Sequence, residues 1–288
     1  MVFKFSFITL LAIGLTACSQ PDFGKLEILS SLPGDLSEVS GIEIVNGSSL
    51  LWMINDSGNS PRVYGYDINE RKIARTIELS VLKNTDWEDL ASDTEGNLYI
   101  GDFGNNDNKR KDLAIYRLGN VATSDSMEIE ITRFQFEDQK EFPPKKKERN
   151  FDVEAFVFYQ GNFYLFTRNR SSNFDGTTKL YRVPAGSGDV QATYLGSYVT
   201  CQDKDDCQVT SAAIDRKTGD LALLTYNKIF LFSKFNGGDV FKRKAKEIHL
   251  DHKSQKESVV FLDAKTMLIA DEKVGPEGGN LYKYTFKK

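Results

Sequence analysis

One short pattern recurs five times along the chain, and this repetition constrains the fold more than any other feature of the sequence. Each copy begins with a polar or acidic residue that leads into an apolar strand, and a second apolar strand follows and ends in polar residues. Internal repetition of this kind is typical of propellers and solenoids, in which every repeat contributes an equivalent position. The first residues of the five copies, called the column residues below, are Ser40, Glu88, Glu154, Thr210 and Glu257.

Two further strands complete each copy. The third strand carries an aromatic residue, as in RVYGYDI and LAIYRL, and the fourth strand is more variable. Turns such as Asn46-Gly47 and Gln160-Gly161-Asn162 separate short β-branched and aromatic runs, which indicates β-hairpins. The fifth copy ends after its third strand, and the segment from Leu26 to Ser31 can supply the missing fourth strand.

These patterns predict an all-β fold, namely a five-bladed β-propeller of four-stranded antiparallel blades. The N-terminal strand closes the last blade and so removes an exposed sheet edge. The longest interval between two column residues contains an insertion from about Glu137 to Asn150. A β-sandwich is the competing fold, but it does not account for five equivalent units.

The column residues are expected to ring one mouth of the central tunnel, because the innermost strand of each blade lines that tunnel. The distances in sequence from each column residue to the end of the second strand differ only by even steps, so the side chains there keep the same face. A second set of residues at this mouth is predicted to bind a ligand: Asp56, Asp102, Arg168, Arg170, Tyr226 and Asp271.

Three glutamates that converge on a narrow tunnel repel one another, and a hard cation would neutralise them. Calcium takes about six to eight oxygen ligands, whereas magnesium requires a tighter octahedron. We therefore expect calcium in the tunnel. Its ligands would be the column residues Ser40, Glu88, Glu154, Thr210 and Glu257. The alternative is that these acids are solvated or bond backbone amides of adjacent blades.

Arg168 and Arg170 could hold a phosphate or a carboxylate in a bidentate manner, and the alternative is that they pair with the ring of acids. Asp56 and Asp102 belong to Asn-Asp-Ser-Gly-Asn and Gly-Asp-Phe-Gly-Asn-Asn, for which tight turns are the simpler interpretation. The sequence contains no phosphate-binding loop, nucleophile elbow or zinc motif. Catalysis at this mouth would therefore be metal-assisted hydrolysis.

The N-terminal residues predict export and lipid anchoring. A basic start, an apolar run from Phe5 to Leu15 and the sequence Leu-Thr-Ala-Cys are typical of a secretory signal that ends in a lipobox. We expect a signal peptide at residues 1–17, lipidation of Cys18, a tether at residues 18–25 and the propeller domain at residues 26–288. The lipid would hold the protein at a membrane of the bacterial cell envelope, with the outer membrane as the expected location. An ordinary signal peptide with a chance cysteine is the alternative.

Charge and cysteine content limit the partners further. The formal net charge is −4 at pH 7, and no block of basic residues could grip nucleic acid. In an exported protein, Cys201 and Cys207 predict a disulfide that closes a small loop. A metal site at these two thiols would need other soft ligands, and the two histidines are far away in sequence.

Several motifs resemble those of bacterial secreted or lipoprotein propellers near the SdiA-regulated family. These motifs are Ser-Gly-Ile, Asn-Asp-Ser-Gly-Asn, Asp-Trp-Glu-Asp-Leu-Ala, Tyr-Ile-Gly-Asp-Phe-Gly-Asn-Asn and Val-Glu-Ala-Phe. The column residues are also similar to the serine and glutamate calcium shell of the calcium-activated nucleotidases (apyrases), with Thr210 at a serine position. The first resemblance implies the propeller fold, and the second implies a five-bladed propeller with calcium in its tunnel.

Two functions are consistent with these residues. The first is a calcium-stabilised binding module for a small anionic ligand or a protein partner, tethered to the envelope by its lipid. The second is a calcium-dependent hydrolase of a phosphorylated or ester substrate, in which Arg168 and Arg170 hold the anion.

Overall fold

The computed structural model describes Met1, residues 22–123 and residues 128–287. Apart from Met1, the predicted signal peptide, Cys18 and the first part of the tether lie outside these described residues. The helices within them are the short 3-10 helices Gly34–Leu36, Lys146–Glu148 and Val240–Lys242. No helix in the described ranges has both the length and the apolar character to cross a membrane.

The rest of the regular structure consists of β-strands. In chain order they are β1 Glu27–Ser31, β2 Val39–Ile44, β3 Leu51–Asn55, β4 Arg62–Asp67, β5 Lys72–Glu78, β6 Trp87–Ser92, β7 Asn97–Asp102, β8 Ala114–Asn120, β9 Ile129–Phe136, β10 Asp152–Tyr159, β11 Asn162–Arg168, β12 Thr177–Pro184, β13 Gly188–Val199, β14 Ser211–Asp215, β15 Asp220–Leu224, β16 Lys228–Phe232, β17 Lys246–His249, β18 Lys256–Asp263, β19 Thr266–Asp271, β20 Lys273–Val274, β21 Glu277–Gly278 and β22 Asn280–Thr285.

These strands form four-stranded antiparallel units that follow one another along the chain. Unit 1 is β2–β5, unit 2 is β6–β9, unit 3 is β10–β13 and unit 4 is β14–β17, while unit 5 combines β18, β19 and β22 with β1. Units 2 and 3 share one eight-stranded sheet, because β9 and β13 pair in parallel. The first strands of the units neighbour one another in a closed cycle, β2, β6, β10, β14, β18 and back to β2. The prediction of an all-β, propeller-like fold is confirmed.

The hydrophobic core lies between neighbouring units. Each hydrophobic cluster of the described chain combines side chains from two adjacent units, and one of them joins unit 5 to unit 1. Trp52 and Trp87 are fully buried between units 1 and 2, and the ring of Phe103 meets that of Phe156 edge-on at 5.1 Å between units 2 and 3. Burial of one large apolar side chain contributes roughly 1.5–3 kcal/mol, so packing between the faces of the sheets holds the ring together.

The N-terminal strand completes unit 5. β1 pairs antiparallel with β22, and Ile28 lies opposite Tyr282. Phe23, which belongs to the predicted tether, already packs on the domain, because its ring lies 5.4 Å from that of His252 and 5.7 Å from that of Tyr282. Packing against the domain therefore includes the last residues before β1.

One carboxylate connects the inner strands at the centre of the ring. Asp89 in β6 is fully buried, and its Oδ2 accepts hydrogen bonds from the N–H groups of Phe156 in β10 at 3.2 Å and Ala212 in β14 at 3.4 Å. Its Oδ1 accepts a hydrogen bond from Ser211 Oγ at 3.3 Å, and this hydroxyl accepts one from the N–H of Val259 in β18 at 3.2 Å. Asp89 and Ser211 together therefore join four inner strands.

The remaining inner strand, β2, reaches the same region because Gly41 has no side chain. A Cβ atom at Gly41 would lie 2.8 Å from the backbone nitrogen of Leu90, closer than such atoms approach in folded proteins. All the inner strands thus meet around Asp89.

Replacing Asp89 by asparagine tests this central connection. In Asp89→Asn an NH₂ group takes the place of one acceptor oxygen and faces backbone N–H donors, so we expect the free energy of unfolding to fall by about 2 kcal/mol. Urea unfolding of both proteins measures the difference. Asp263→Asn is the matched control, because the exposed Asp263 accepts one bond from the N–H of Lys265, which an asparagine oxygen can also accept. Equal stability of Asp89→Asn and the unsubstituted protein would contradict the central role of Asp89.

Candidate functional site

A β-bulge marks the column residue in the inner strand of four units. The pairing between the first and second strands skips Ser40, Glu88, Glu154 and Glu257. In unit 4, Thr210 lies immediately before β14, and its N–H donates to the carbonyl oxygen of Leu224 at 3.0 Å. A bulge places two residues opposite one and turns a side chain out of the regular alternation. The bulges therefore direct these side chains towards one end of the ring.

That end of the ring contains a polar cavity of ≈ 240 Å³, called the mouth cavity below. The predicted residues that line it are Ser40, Asp56, Glu88, Glu154, Arg168, Arg170, Tyr226 and Glu257. The other lining residues are Ser57, Asp86, Asn106, Gln255 and Glu272. Thr210, Asp102 and Asp271 are absent from the lining.

Two arginines compensate the charge of Glu154. Arg168 Nη1 donates to Glu154 Oε2 at 2.9 Å, and Arg170 Nη2 donates to Glu154 Oε1 at 2.7 Å. Arg170 Nε also donates to the fully buried carboxylate of Asp152. Burial raises the pKa of Glu154, but the two guanidinium groups outweigh it and hold this pKa below its ordinary value. The pairing of both arginines with acids, which was one of the two sequence-based interpretations, is present in the structure.

Arg168 extends this network to Glu257 through Tyr226. Arg168 Nη2 donates to the Tyr226 hydroxyl at 2.9 Å, and the guanidinium lies 5.6 Å from the centroid of the tyrosine ring. The Tyr226 hydroxyl donates to Glu257 Oε1 at 3.1 Å, and Arg168 Nη1 is 3.9 Å from the same oxygen. Burial raises the pKa of Glu257 to about 8, although the charge of Arg168 opposes this shift.

Glu88 has a different environment. Among the described residues, no side chain donates a hydrogen bond or a positive charge to its carboxylate. Glu88 Oε1 and Asp86 Oδ2 both lie against Gly104, where a single added methyl group would overlap them. Burial raises the pKa of Glu88 well above its ordinary value, and the charges of Glu154 and Asp86 raise it further.

The pKa values of three other acidic residues that line the mouth cavity are raised as well. Burial and nearby carboxylates raise the pKa of Glu272 to about 9 and that of Asp56 to about 7. The pKa of Asp86 is raised by burial and by the charge of Glu154. Carboxyl groups that raise one another's pKa either keep protons at neutral pH or bind a cation. The mouth cavity therefore has uncompensated acidic groups beside its paired arginines.

Ser40 and Thr210 make equivalent bonds between units. Ser40 Oγ donates to the carbonyl oxygen of Trp87 at 2.8 Å, and Thr210 Oγ1 donates to that of Lys256 at 2.7 Å. Each carbonyl belongs to the residue just before the next column residue. The two hydroxyls thus fasten neighbouring inner strands, and both are buried.

Asp102 and Asp271, which the sequence analysis assigned to ligand binding, lie outside the mouth cavity. Each is paired with the residue before a column residue, so it shares a face with Trp87 or Lys256 and points away from the bulged side chain. Asp102 accepts hydrogen bonds from Arg110 Nη2 at 2.9 Å and from the Tyr116 hydroxyl at 3.0 Å. Asp271 accepts them from the Tyr282 hydroxyl and the Asn280 N–H, each at 2.8 Å. Arg168 is instead paired with Asp152, one residue further from the bulge, so it takes the opposite face from Asp102 and Asp271 and lines the cavity.

Two acidic residues of the cavity, Asp86 and Glu272, were missed by sequence analysis. Each is close to a residue that was singled out, namely Glu88 or Asp271, and local acidity was the available signal. Ser57, Asn106 and Gln255 lie outside the strands, where strand periodicity gives no position.

The tunnel is closed behind the mouth cavity. Asp89 and its hydrogen bonds fill the centre of the ring, as described above. Beyond it, Glu43 and Arg216 line a separate space of only ≈ 20 Å³, and the Arg216 guanidinium donates to the carbonyl oxygen of Ser92. The mouth cavity is therefore a pocket that opens at one end.

A larger cavity of ≈ 600 Å³ lies beside the insertion between β9 and β10. Acidic and basic side chains alternate around it, and Lys179 Nζ pairs with Asp138 Oδ2 at 3.0 Å. Because its charges offset one another, the smaller mouth cavity, with its uncompensated carboxyl groups, is the candidate functional site.

The mouth cavity is not a preformed metal site. Across the described residues, no three His, Cys, Asp or Glu side chains are arranged to hold a metal ion. Both oxygens of Glu154 are bound by arginines, and the hydroxyls of Ser40 and Thr210 donate to carbonyl groups. The other side chains of the cavity that could coordinate a metal ion would do so through oxygen atoms, and oxygen ligands suit a hard cation such as calcium.

The chain matches no family model and no curated protein. It is similar in fold to the PQQ-bound aldose sugar dehydrogenase of Streptomyces coelicolor (9% identity, TM-score 0.48, 92% of this chain and 99% of that one). It is also similar to regucalcin, a calcium-binding protein of Agrobacterium tumefaciens (11% identity, TM-score 0.48, 91% of this chain and 93% of that one). A third similar structure is a gluconolactonase of Xanthomonas campestris (11% identity, TM-score 0.49, 91% of this chain and 89% of that one). This likeness concerns the fold alone. The resemblances to the SdiA-regulated propellers and to the nucleotidases stay predictions.

The raised pKa values predict how stability depends on pH. Asp56, Glu257 and Glu272 have folded-state pKa values of about 7, 8 and 9, above the ordinary values of 3.8, 4.5 and 4.5. The folded protein therefore binds these protons more tightly than the unfolded chain does. This contribution to stability is complete below about pH 4 and is lost as the pH rises through these folded-state values. Without divalent cations, we expect the melting temperature to fall by about 5 °C or more between about pH 6 and pH 9.

Two variants check the origin of this effect. Glu272→Gln removes one of the titrating groups and should flatten the profile, because a glutamine oxygen can still accept the hydrogen bond from Gln255. Glu78→Gln removes an exposed carboxylate that pairs with Arg62 and should leave the profile unchanged. A melting temperature that stays constant or rises over this range would disagree with the assigned shifts.

Proposed function

We propose that the protein is a cation-dependent hydrolase of a small ester or phosphoester, and that the reaction takes place in the mouth cavity. The observation that carries this proposal is Glu88, a carboxylate of the cavity that lies beside Asp86 and lacks a positive partner among the described residues. A group of this kind is suited to binding a cation or accepting a proton. The cavity volume of ≈ 240 Å³ also favours a small substrate.

Calcium is the proposed cation. Its ligands would be Glu88 and Asp86, with Asp56 nearby, because these carboxyl groups repel one another and no arginine of the described chain donates a hydrogen bond to them. The side chains would have to draw together around the ion, as no group of three is preformed in the described chain. When bound, calcium would polarise the substrate and lower the pKa of a water molecule. This proposal moves the ligand set away from Glu154, Ser40 and Thr210, which have other partners.

Arg168 and Arg170 are the proposed anion-binding groups. A guanidinium has five N–H donors. The hydrogen bonds described above, with the one from Arg168 to Gln208, use three of these donors in Arg168 and two in Arg170. The side chains of Arg168 and Arg170 line the cavity and are 11% and 24% exposed. The remaining donors are thus available to a phosphate or carboxylate group at the cavity.

Asp56 and Glu257 are suited to act as a general base. Both line the cavity, and their pKa values are raised to about 7 and about 8, close to neutrality. A general base works best when its pKa is near the working pH. Either group can therefore accept the proton of an attacking water molecule.

A non-catalytic binding module is the second candidate function. The extensive pairing of Arg168 and Arg170 with acids favours it, because such pairing stabilises a pocket without any reaction. In this case calcium would stiffen the ring, and the mouth cavity would hold a small anionic ligand or a segment of a protein partner.

We also propose a number of blades for the ring and a cellular location for the protein. The cyclic order of the inner strands and the hydrophobic clusters between successive units support a five-bladed propeller with β1 closing the last blade. The lipobox sequence supports lipidation at Cys18 and attachment to the bacterial cell envelope, with the folded domain exported.

A calcium titration combined with an activity assay separates the two candidates. The full-length protein, freed of cations with a chelator, is titrated with calcium by calorimetry and assayed with p-nitrophenyl phosphate and p-nitrophenyl acetate. Calcium binding with calcium-dependent turnover supports the hydrolase. Calcium binding without turnover of these or related esters supports the binding module, and absence of calcium binding contradicts both forms of the proposal.

Glu88→Gln identifies the ligand set. Because calcium affinity depends on the number of charged ligands, we expect it to fall by roughly tenfold or more in Glu88→Gln. Glu78→Gln, which changes an exposed carboxylate outside the cavity lining, should bind calcium as the unsubstituted protein does. Unchanged affinity in Glu88→Gln would remove Glu88 from the site.

Gly104→Ala offers a second test that keeps every carboxylate. The added methyl group would overlap Glu88 Oε1 and the carboxyl group of Asp86, and these flexible ends would have to move apart. We expect calcium affinity to fall by roughly tenfold, with little change in melting temperature. Gly119→Ala is the control, since a methyl group at Gly119 meets open space. Normal calcium binding by Gly104→Ala would show that the ion lies elsewhere.

A further inference from the structure

The disulfide loop ends next to the mouth cavity. Cys201 and Cys207 are joined, as predicted, in the connection between β13 and β14, with their Cα atoms 5.3 Å apart. The Thr200 hydroxyl donates to the carbonyl oxygen of Cys207 at 2.6 Å, and the Thr200 N–H donates to that of Gly176 at 2.9 Å. Cys207 itself is buried. The last residue of the loop is therefore fixed in place, and so is the start of the segment that follows it.

The residue after this loop, Gln208, uses both ends of its side-chain amide. Its Oε1 accepts a hydrogen bond from Arg168 Nε at 2.9 Å, and its Nε2 donates one to the carbonyl oxygen of Asn169 at 3.1 Å. Gln208 thus bridges a side chain and the backbone at the end of β11. The second bond also fixes which end of the amide faces the arginine.

The contact with Gln208 completes the fixation of the Arg168 guanidinium. Its other two nitrogen atoms are bound by Glu154 and by the Tyr226 hydroxyl, each at 2.9 Å. Because the guanidinium is planar, a third contact at Nε sets the orientation of the plane and so the direction of the remaining N–H donors. A neutral amide makes this contact without cancelling the positive charge of the arginine.

We propose that Gln208 is a positioning residue for Arg168, and that the disulfide loop holds Gln208 where it can play this role. This proposal deepens the proposed function and rests on it, since Arg168 is there assigned to binding the anion of the substrate. The integrity of the Cys201–Cys207 bond then affects the affinity of the mouth cavity for anions, although neither sulfur atom touches the ligand.

Gln208→Leu and Gln208→Glu in the full-length protein test the positioning role. The direct readout is the Arg168 Nε–H signal in nitrogen-15 NMR, identified by its loss in Arg168→Lys. In Gln208→Leu this proton loses its acceptor, and we expect it to exchange with water at least about tenfold faster. In Gln208→Glu the carboxylate can still accept the bond, and protection should be retained. An unchanged signal in Gln208→Leu would overturn the proposal.

Binding of inorganic phosphate provides the functional readout. We expect Gln208→Leu to bind phosphate roughly tenfold more weakly, because a hydrogen bond to a charged group is lost from the arrangement that orients Arg168. Calcium affinity should stay within about twofold, since the proposed calcium ligands do not contact Gln208. Equal losses of phosphate and calcium affinity would indicate general damage and overturn a specific role.

The double variant Cys201→Ser/Cys207→Ser tests the role of the disulfide loop. It should weaken phosphate binding in the same direction as Gln208→Leu, at a temperature below its own melting point. Lys204→Gln, a change at an exposed position within the loop, should have no effect. Phosphate affinity that survives loss of the disulfide would overturn the role of the loop. If the unsubstituted protein neither binds phosphate nor turns over esters, the proposed function fails, and the Arg168 Nε–H signal still decides the role of Gln208.

Discussion

The arrangement of the whole ring depends on the burial of one carboxylate at its centre. The inner strand of each unit has an unpartnered edge, and N–H groups on such an edge need acceptors when they are shielded from water. Asp89 and the Ser211 hydroxyl supply acceptors to three neighbouring inner strands, and Gly41 allows β2 to approach the same point. A polar centre is thus surrounded by apolar clusters between the units. In a globular domain with a single core, by contrast, the centre is apolar.

The candidate site is a consequence of this closed centre. Because Asp89 closes the tunnel, the column residues line a pocket and not a channel. The bulges at Glu88, Glu154 and Glu257 bring their carboxylates together, and arginines from the end of β11 neutralise only one of them fully. The pocket therefore has carboxylates paired with arginines on one side and carboxylates without such partners on the other.

Repetition in the sequence was sufficient to predict an all-β, propeller-like fold of successive four-stranded antiparallel sheets and the pairing of β1 with the last of them, because these depend on periodicity and turn residues. It also predicted that the column residues share one end of the ring, and four of them line the mouth cavity, whereas Thr210 does not. It left open whether Arg168 and Arg170 pair with the acids or bind an anion, and it did not predict that Asp102 and Asp271 face away from the cavity. Those facts depend on side-chain contacts and on which residue a bulge displaces, and neither leaves a periodic signal. Asp86, Glu272 and Gln208 were missed for the same reason.

The parallel pairing of β9 with β13 makes units 2 and 3 one continuous hydrogen-bonded sheet, whereas the described sheets of the other units are separate. Separating units 2 and 3 would break the backbone hydrogen bonds of a sheet, whereas separating other neighbours would break side-chain packing and side-chain hydrogen bonds such as the one from Ser40 Oγ to the carbonyl oxygen of Trp87. Glu88 belongs to unit 2, and Glu154 and Arg168 belong to unit 3. The wall of the pocket that carries these three residues is thus one continuous sheet, whereas Glu257 is carried by a separate one.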